Sequence, residues 1–408
     1  MKLGSGDIAV IDLKNVKSEA VRIAAGAFRK DILDTLPVAD AFLSDGNEGE
    51  ERLRGAHPVF IRILEDVPHL PFEGYEINAL NDELVISGAD RRGTIYGIYT
   101  VSEMLGVSPW HFFADVPPKK KDMFLIKEGE KISDSPRLKY RGIFINDEEE
   151  LDHWVKNRMG EETIGVKTYE KIYELLLRLK LNYLWPAMHV NSFNMVKENG
   201  ILADKMGVII GTSHCDMLMR SNHREWEPWK KSKGYTDAVY DYSIPGRNRE
   251  ILEEYWRESV EQNSPLEVTY TLGMRGIHDS GFQVSALKGL TGEELIKAKI
   301  DLLQTVIEKQ VEILDTVAGP DTQKNFVPYK EVLELYDNGL KVPEDFTLIW
   351  VNDNYGYVRR YPNEEEKKRK GGNGLYYHNS YWSPPGNSYL FLDTIPLAHM
   401  ANDLKKAY

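Results

Sequence analysis

The chain is poor in the residues that simplify functional assignment. Among its 408 residues there is one cysteine, Cys215, which excludes an internal disulfide and a cysteine-rich zinc site. Positive charge is in deficit: the formal net charge of −13 argues against a nucleic-acid partner, because sequence-independent binding to phosphates comes from clustered Lys and Arg. The basic runs Lys119–Lys121 and Lys367–Lys370 are short enough to be solvated loops. No apolar run approaches the roughly 18 residues that a membrane span needs, so no membrane partner is expected. The opening MKLGSGDIAV has no secretory h-region. This leaves the compartment open: extracellular or periplasmic if a signal was trimmed, cytoplasmic otherwise. The histidines show neither HxH nor HExxH spacing and there is no CxxC, so no metal is expected.

What is present is one shape, repeated. Val268–Asp279, VTYTLGMRGIHD, is an apolar, β-branched run that empties into Arg275, His278 and Asp279. The same passage from apolar to polar occurs in KYRGIFIND (139–147), LNYLWPAMH (181–189), MGVIIGTSH (206–214), TLIWVNDN (347–354) and GLYYHNSY (374–381). Such runs read as strands covered on both faces. Helical stretches follow them at 168–179, 195–205, 248–260, 291–317, 329–338 and 388–406, and strand then helix, repeated, predicts a parallel sheet. With a short strand at 325–328 the strands number seven, where a closed barrel has eight. The expected fold is therefore α/β: a small N-terminal α/β domain over 1–133, then a TIM-like (β/α)8 barrel over 134–408, incomplete before its eighth strand.

In the first domain, Ile8–Ile11 and Pro58–Leu64 read as strands, Glu19–Leu36 as a helix and Tyr75–Ser87 as a hairpin. Asp90–Leu105 is a turn running into a helix. Its Arg91–Arg92 pair could hold an anion, but the glycines lack phosphate-loop spacing, and a helix N-terminus packed on a neighbour is the plainer interpretation.

If the strands are parallel, their carboxyl ends share one rim. There the sequence places the carboxylates Asp147, Asp279, Asp353 and Glu331, the histidines His189, His214 and His378, the cation Arg275, and the aromatics Trp185, Tyr381 and Trp382. Carboxylates with flat aromatics describe a sugar site, and an Arg fork suits a sugar carboxylate. Each also has a structural alternative. Asp147 could be a solvated loop residue, Asp279 and Arg275 an ion pair, Glu331 a helix-dipole partner, and His189 and His214 neutral core histidines. A Cys215–His214 nucleophile is disfavoured, since adjacent strand residues face opposite ways. Two rival functions stay open: a metal-dependent barrel hydrolase or isomerase using His189, His214, Asp279 and His378, and a non-catalytic polysaccharide-binding protein.

RGIFINDEE, KTYEKIYELLLRLKLNYLWPAMH, IIGTSHCDML, YTLGMRGIHD, VPYKEV, WVNDNYG and YYHNSYWSPPG, in this order, resemble glycoside hydrolase family 115, the xylan α-1,2-glucuronidases; DRRGTIYGIYTVSEMLGVSPW resembles that family's first domain. The resemblance implies an inverting enzyme that removes glucuronic acid or its 4-O-methyl ether from glucuronoxylan or aldouronic acids, without a cofactor. It implies pocket residues Glu103, Asp147, His214, Arg275, Asp279, Glu331, Asn354, His378 and Tyr381; Trp185, from the rim reading above, is the expected aromatic contact. It makes Glu103 a contribution of the first domain to the mouth of the barrel. Inversion needs an acid and a base about 6.5–9.5 Å apart; Glu331 is expected as the acid and Asp279 as the base. Cys215, Asp216 and Met217 stand where relatives carry an acidic residue followed by proline. Relatives also continue past the point corresponding to Tyr408 into domains that aid dimer formation, so this chain alone is expected to be weakly active.

Overall fold

Of the nine residues DIAVIDLKN, Ile8 to Ile11 and Leu13 are buried, as in a strand with neighbours on both sides. They form the centre of the first of two units in this computed structural model, which describes residues 1–46, 53, 57–146, 148–282, 284–353, 356–379 and 395–407. The first unit comprises Met1–Ile143, Val166–Tyr183 and Ile201–Ile209; the second comprises Phe144–Gly165, Leu184–Gly200 and Ile210–Tyr408.

In the first unit the elements are β1 (Lys2–Gly4), β2 (Asp7–Asn15), α1 (Glu19–Thr35), β3 (Asp40–Ser44), β4 (His57–Leu64), β5 (Tyr75–Leu80), β6 (Glu83–Gly88), α2 (Arg91–Leu105), β7 (Met123–Leu125) and β8 (Lys131–Asp134). Six strands make one sheet in the order β3-β2-β4-β6-β5-β8, and β1 pairs with β7. β2, β3, β4 and β6 are parallel; β5 runs antiparallel to β6, completing the hairpin expected over 75–87. Ser18 caps α1 through the Val21 N–H, and Asp90 caps α2 through the N–H groups of Arg92 and Gly93. Gly106, at φ 95°, ends α2 in the left-handed conformation that glycine adopts without strain.

The arginine pair at the start of α2 does hold anions, and they belong to the protein. Arg92 Nε lies 2.5 Å from the fully buried Glu73 carboxylate, which also takes Arg141 at 2.7 Å and the Asn182 amide at 2.9 Å. Arg91 pairs with Asp204. No phosphate loop is needed to explain this stretch.

From residue 142 onward come β9 (Gly142–Phe144), α3 (Glu149–Arg158), α4 (Val166–Arg178), β10 (Tyr183–Trp185), α5 (Lys197–Met206), β11 (Ile209–Ile210), α6 (Trp226–Ser232), α7 (Arg247–Asn263), β12 (Tyr270–Thr271), α8 (Gly292–Val317), β13 (Lys324–Phe326), α9 (Glu331–Asp337), β14 (Thr347–Val351), β15 (Asn373–Tyr376) and α10 (Leu397–Ala407). β9, β10 and β11 form a sheet with β10 in the middle. β12 to β15 form a second, wholly parallel one in chain order. A parallel bridge from Ile210 to Val268 joins the two.

The alternation of strand and helix is the expected one, but the strands are shorter than their apolar runs. LNYLWPAMH yields three strand residues because Pro186 has no N–H to donate to the ladder. In α8 the apolar residues Leu303, Val306, Ile307, Ile313 and Leu314 are buried, whereas Leu295, Ile296 and Ile300 stay half-exposed. Gln310 joins that buried face for a reason apolar periodicity cannot express: its amide exchanges two hydrogen bonds with the backbone of Gly273, at 2.8 and 2.9 Å. This anchors the segment that carries Arg275.

Candidate active site

Four residues beyond β12, Arg275 is 2% exposed and holds two carboxylates at once. Its Nε and Nη2 donate to Oε1 and Oε2 of Glu331 at 3.1 and 2.9 Å, a two-point fork that Lys could not reproduce. Its Nη1 pairs with Asp279 Oδ1. The guanidinium also lies 5.3 Å from the centre of the Tyr329 ring.

Glu331 opens α9 and accepts a third hydrogen bond, from the Phe282 N–H at 3.0 Å. Burial alone would raise its pKa, but the Arg275 hydrogen bonds and charge hold it below the ordinary carboxylate range. Asp279 takes the Nε2 proton of His214 at 2.9 Å and the Lys330 ammonium at 3.2 Å. Because a carboxylate oxygen only accepts, the proton of the neutral His214 ring sits on Nε2. Burial, and then the charges of Arg275 and Lys330, push the His214 pKa well down, and its buried Nδ1 has no partner among the described residues.

The backbone here is held in unusual places. His278, Asp279 and Lys330 have φ of 57°, 59° and 49°, left-handed conformations that side-chain-bearing residues seldom adopt. Gly276 makes the turn possible by close approach: a Cβ there would sit 2.1 Å from Ser280 Oγ and 2.7 Å from the Gly281 carbonyl oxygen.

One wall is aromatic. The His214 ring lies 3.9 Å from Tyr329 and 6.0 Å from Tyr376, and Tyr376 lies 4.2 Å from His378. His378 Nδ1 donates to the Asn352 amide oxygen at 2.9 Å; burial, then His214 and Lys330, bring its pKa down to about 4. Trp185 is buried at 5% exposure against Phe144 and Tyr376, so it backs the wall and offers no open face for stacking.

The structure thus gathers His214, Arg275, Asp279 and Glu331 directly, with His378 and Trp185 joined to them through Tyr376. Glu103 lies on α2 in the first unit, exposed, 3.5 Å from Lys180. Asp147, Asn354 and Tyr381 fall outside the described residues. Asp353 is spent on its own turn, accepting from the Tyr357 N–H and pairing with Arg359. The metal set anticipated as a rival is not assembled, because His189 lies with His223 and His278, at 4.3 Å from the His278 ring, apart from His214.

Tyr329, Lys330, Asn352 and Tyr376 escaped the sequence reading as contributors, and so did the burial of Asp216. The first three flank residues already singled out, in VPYKEV and WVNDNYG. Asp216 is buried and receives the Ser213 hydroxyl at 3.1 Å, and its burial pushes its pKa up to about 8. Burial raises the thiol pKa of its neighbour Cys215 well above the ordinary range, which disfavours the nucleophilic thiolate.

Residues 133–408 match the family described as Glycosyl hydrolase family 115. No curated protein matches the chain. Among solved structures, a family 115 4-O-methyl-α-glucuronidase with specificity for decorated arabinogalactans, BtGH115A, superposes with a TM-score of 0.85 at 33% identity over 100% of this chain. This chain spans only 53% of that protein. The chitobiase of Flavobacterium johnsoniae (TM-score 0.55, 14% identity, 98% of this chain, 61% of that one) shares the fold alone. With a family match over two thirds of its length, and its site residues in the matching region apart from Glu103, the chain belongs to glycosyl hydrolase family 115.

Proposed function

We propose that this chain carries the catalytic part of an inverting α-glucuronidase that releases glucuronic acid or its 4-O-methyl ether from a decorated plant polysaccharide. The observation that carries the reading is the buried Arg275 guanidinium shared between Glu331 and Asp279. The two carboxylates make a pair for acid–base work, and the buried guanidinium between them is a donor fork ready for a sugar carboxylate.

The uronate of the substrate competes with Glu331 for Arg275. Once the fork turns to the substrate, burial dominates the Glu331 environment, and it takes up the proton that a general acid must carry. Glu331 then protonates the glycosidic oxygen as the bond to the anomeric carbon breaks. Asp279 takes a proton from the water that attacks that carbon from the opposite face, and the products are a uronic acid of inverted configuration and a free backbone hydroxyl. His214 and Lys330 keep Asp279 in place. Asn354, His378 and Tyr381 hold sugar hydroxyls, Asp147 and Glu103 are further substrate ligands, and Trp185 stiffens the wall behind Tyr376.

The same reading takes β9 to β15 as seven strands of a TIM-like barrel within a catalytic domain over 134–408, preceded by a domain over 1–133. Parallel pairing in chain order supports it. Glucuronoxylan is the expected backbone, and the arabinogalactan specificity of the similar enzyme makes that polymer the necessary comparison. Incubation with each, followed by detection of free uronic acid, tests the proposal. Release by the parent chain and its loss in both Glu331→Gln and Asp279→Asn is expected; unchanged release in both variants overturns it.

A further inference from the structure

Beside the site just described, three histidines far apart in sequence meet. His189 follows β10, His223 precedes α6, and His278 sits in the strained turn that also carries Asp279. His278 Nε2 lies 2.8 Å from His189 Nδ1, the His223 and His278 rings are 4.3 Å apart, and one nitrogen from each residue falls within 4.8 Å of the other two. The His189 backbone also hydrogen-bonds the His223 side chain, which holds the two residues together. The Glu149 carboxylate adds an oxygen 3.3 Å from His189 Nε2, at the edge of the three-histidine group.

We propose that His189, His223 and His278 bind one divalent transition ion, zinc; Glu149, which meets the cluster only at the His189 edge, turns in to complete its shell. Ring nitrogens aimed at one another must share protons to be satisfied, whereas a cation between them accepts a lone pair from each. A tetrahedral zinc with metal–nitrogen bonds of about 2.0–2.1 Å sets nitrogen–nitrogen separations of about 3.3 Å. The distances of 2.8 Å and up to 4.8 Å bracket that value, so shifts of about an ångström close the site. Three imidazoles and one carboxylate suit zinc; magnesium and calcium prefer all-oxygen shells. Arg224 opposes the cation: its Nε donates to the His189 carbonyl at 3.1 Å. Glu149 offsets that charge, and so does Glu148, whose Oε1 accepts from the backbone N–H groups of His189, Val190 and Asn191.

The ion does no chemistry on substrate here. It ties the 277–279 turn, and with it Asp279, to the end of β10 and to the segment before α6. The site is independent of the glucuronidase reading, because its test needs no substrate. The full chain is stripped with chelator, loaded with zinc chloride, freed of unbound metal and assayed for bound zinc, then repeated with cobalt chloride. About one equivalent of zinc is expected, together with the visible absorption of tetrahedral cobalt. His223→Gln and His278→Gln, checked for native circular dichroism, are expected to weaken zinc binding at least 100-fold, and Glu149→Gln about tenfold. His57→Gln, an exposed histidine at the start of β4 in the first unit, is expected to change nothing. Negligible retained zinc in the parent chain, or parent-like binding in both histidine variants, overturns the proposal; the cobalt spectrum of the parent decides the matter even if a variant fails to fold.

Discussion

Arg275 grips Glu331 at two points, Nε to Oε1 at 3.1 Å and Nη2 to Oε2 at 2.9 Å, while its remaining nitrogen pairs with Asp279. Replacing the fork with a point charge separates its functions. Arg275→Lys is expected to lower kcat/KM on an aryl α-glucuronide by roughly 10²–10³-fold, because the bidentate contact to the uronate is lost. On the corresponding α-glucoside, which has no carboxylate, the already small rate should change far less. Equal losses on both substrates would show that Arg275 does not read the uronate.

Asp216 has its folded-state pKa raised to about 8 by burial, against an ordinary value of 3.8. A raised carboxyl pKa means that the folded chain binds the proton more tightly than the unfolded one. Its contribution is therefore complete below the ordinary value and is lost as pH rises through about 8. Asp216→Asn should melt close to the parent near pH 4 and progressively above it as pH increases, read by differential scanning fluorimetry. A melting gap that does not change with pH contradicts the shift.

His378 works in the opposite direction. Burial, then His214 and Lys330, lower its pKa to about 4, so the folded state disfavours the proton. Its contribution is complete above the ordinary histidine value and is lost as pH falls through about 4. Across the interval from about 6.5 down to 4, His378→Gln should lose less stability than the parent in chemical denaturation.

Glu73 is a test of the first unit alone. Fully buried and shared by Arg92, Arg141 and Asn182, it leaves two guanidinium groups uncompensated when removed. Glu73→Ala should cost about 3–5 kcal/mol of unfolding free energy by urea titration. A cost below about 1 kcal/mol would mean that water reaches those arginines.

Gly276→Ala probes the turn. The added methyl meets Ser280 Oγ and, more stubbornly, the Gly281 carbonyl oxygen at 2.7 Å, so the turn carrying Asp279 must shift. A loss of stability of about 1–3 kcal/mol is expected, with activity falling roughly 10²-fold because misplacement by about an ångström is enough. Full activity in a folded variant would mean that Asp279 does not depend on this turn.

Much of the arrangement was legible because its signals are local. Apolar runs ending in polar residues marked the strands, and the parallel order β12 to β15 followed from the alternation with helices. Residues at those strand ends, His214, Arg275, Asp279 and Glu331, do meet. The part that was not legible depends on partners chosen across space. Glu331 could have served only to complement a helix dipole, and only the fold shows that its carboxylate lies in the Arg275 fork. Trp185 has the composition of a sugar platform, yet packing of Phe144 and Tyr376 covers it.

The sequence by itself determined the strand-and-helix rhythm, the polar ends of the strands and the family likeness, since these depend on periodicity and on motifs contiguous in the chain. Only the tertiary structure decided which groups share a proton, a charge or an ion. Asp216 acquires its raised pKa from burial that no motif encodes. His189, His223 and His278 carry no metal-binding spacing, and they become neighbours only because three separate loops converge at one end of the strands. Charge and ligand interactions fall off over a few ångströms, and sequence separation says almost nothing about that distance.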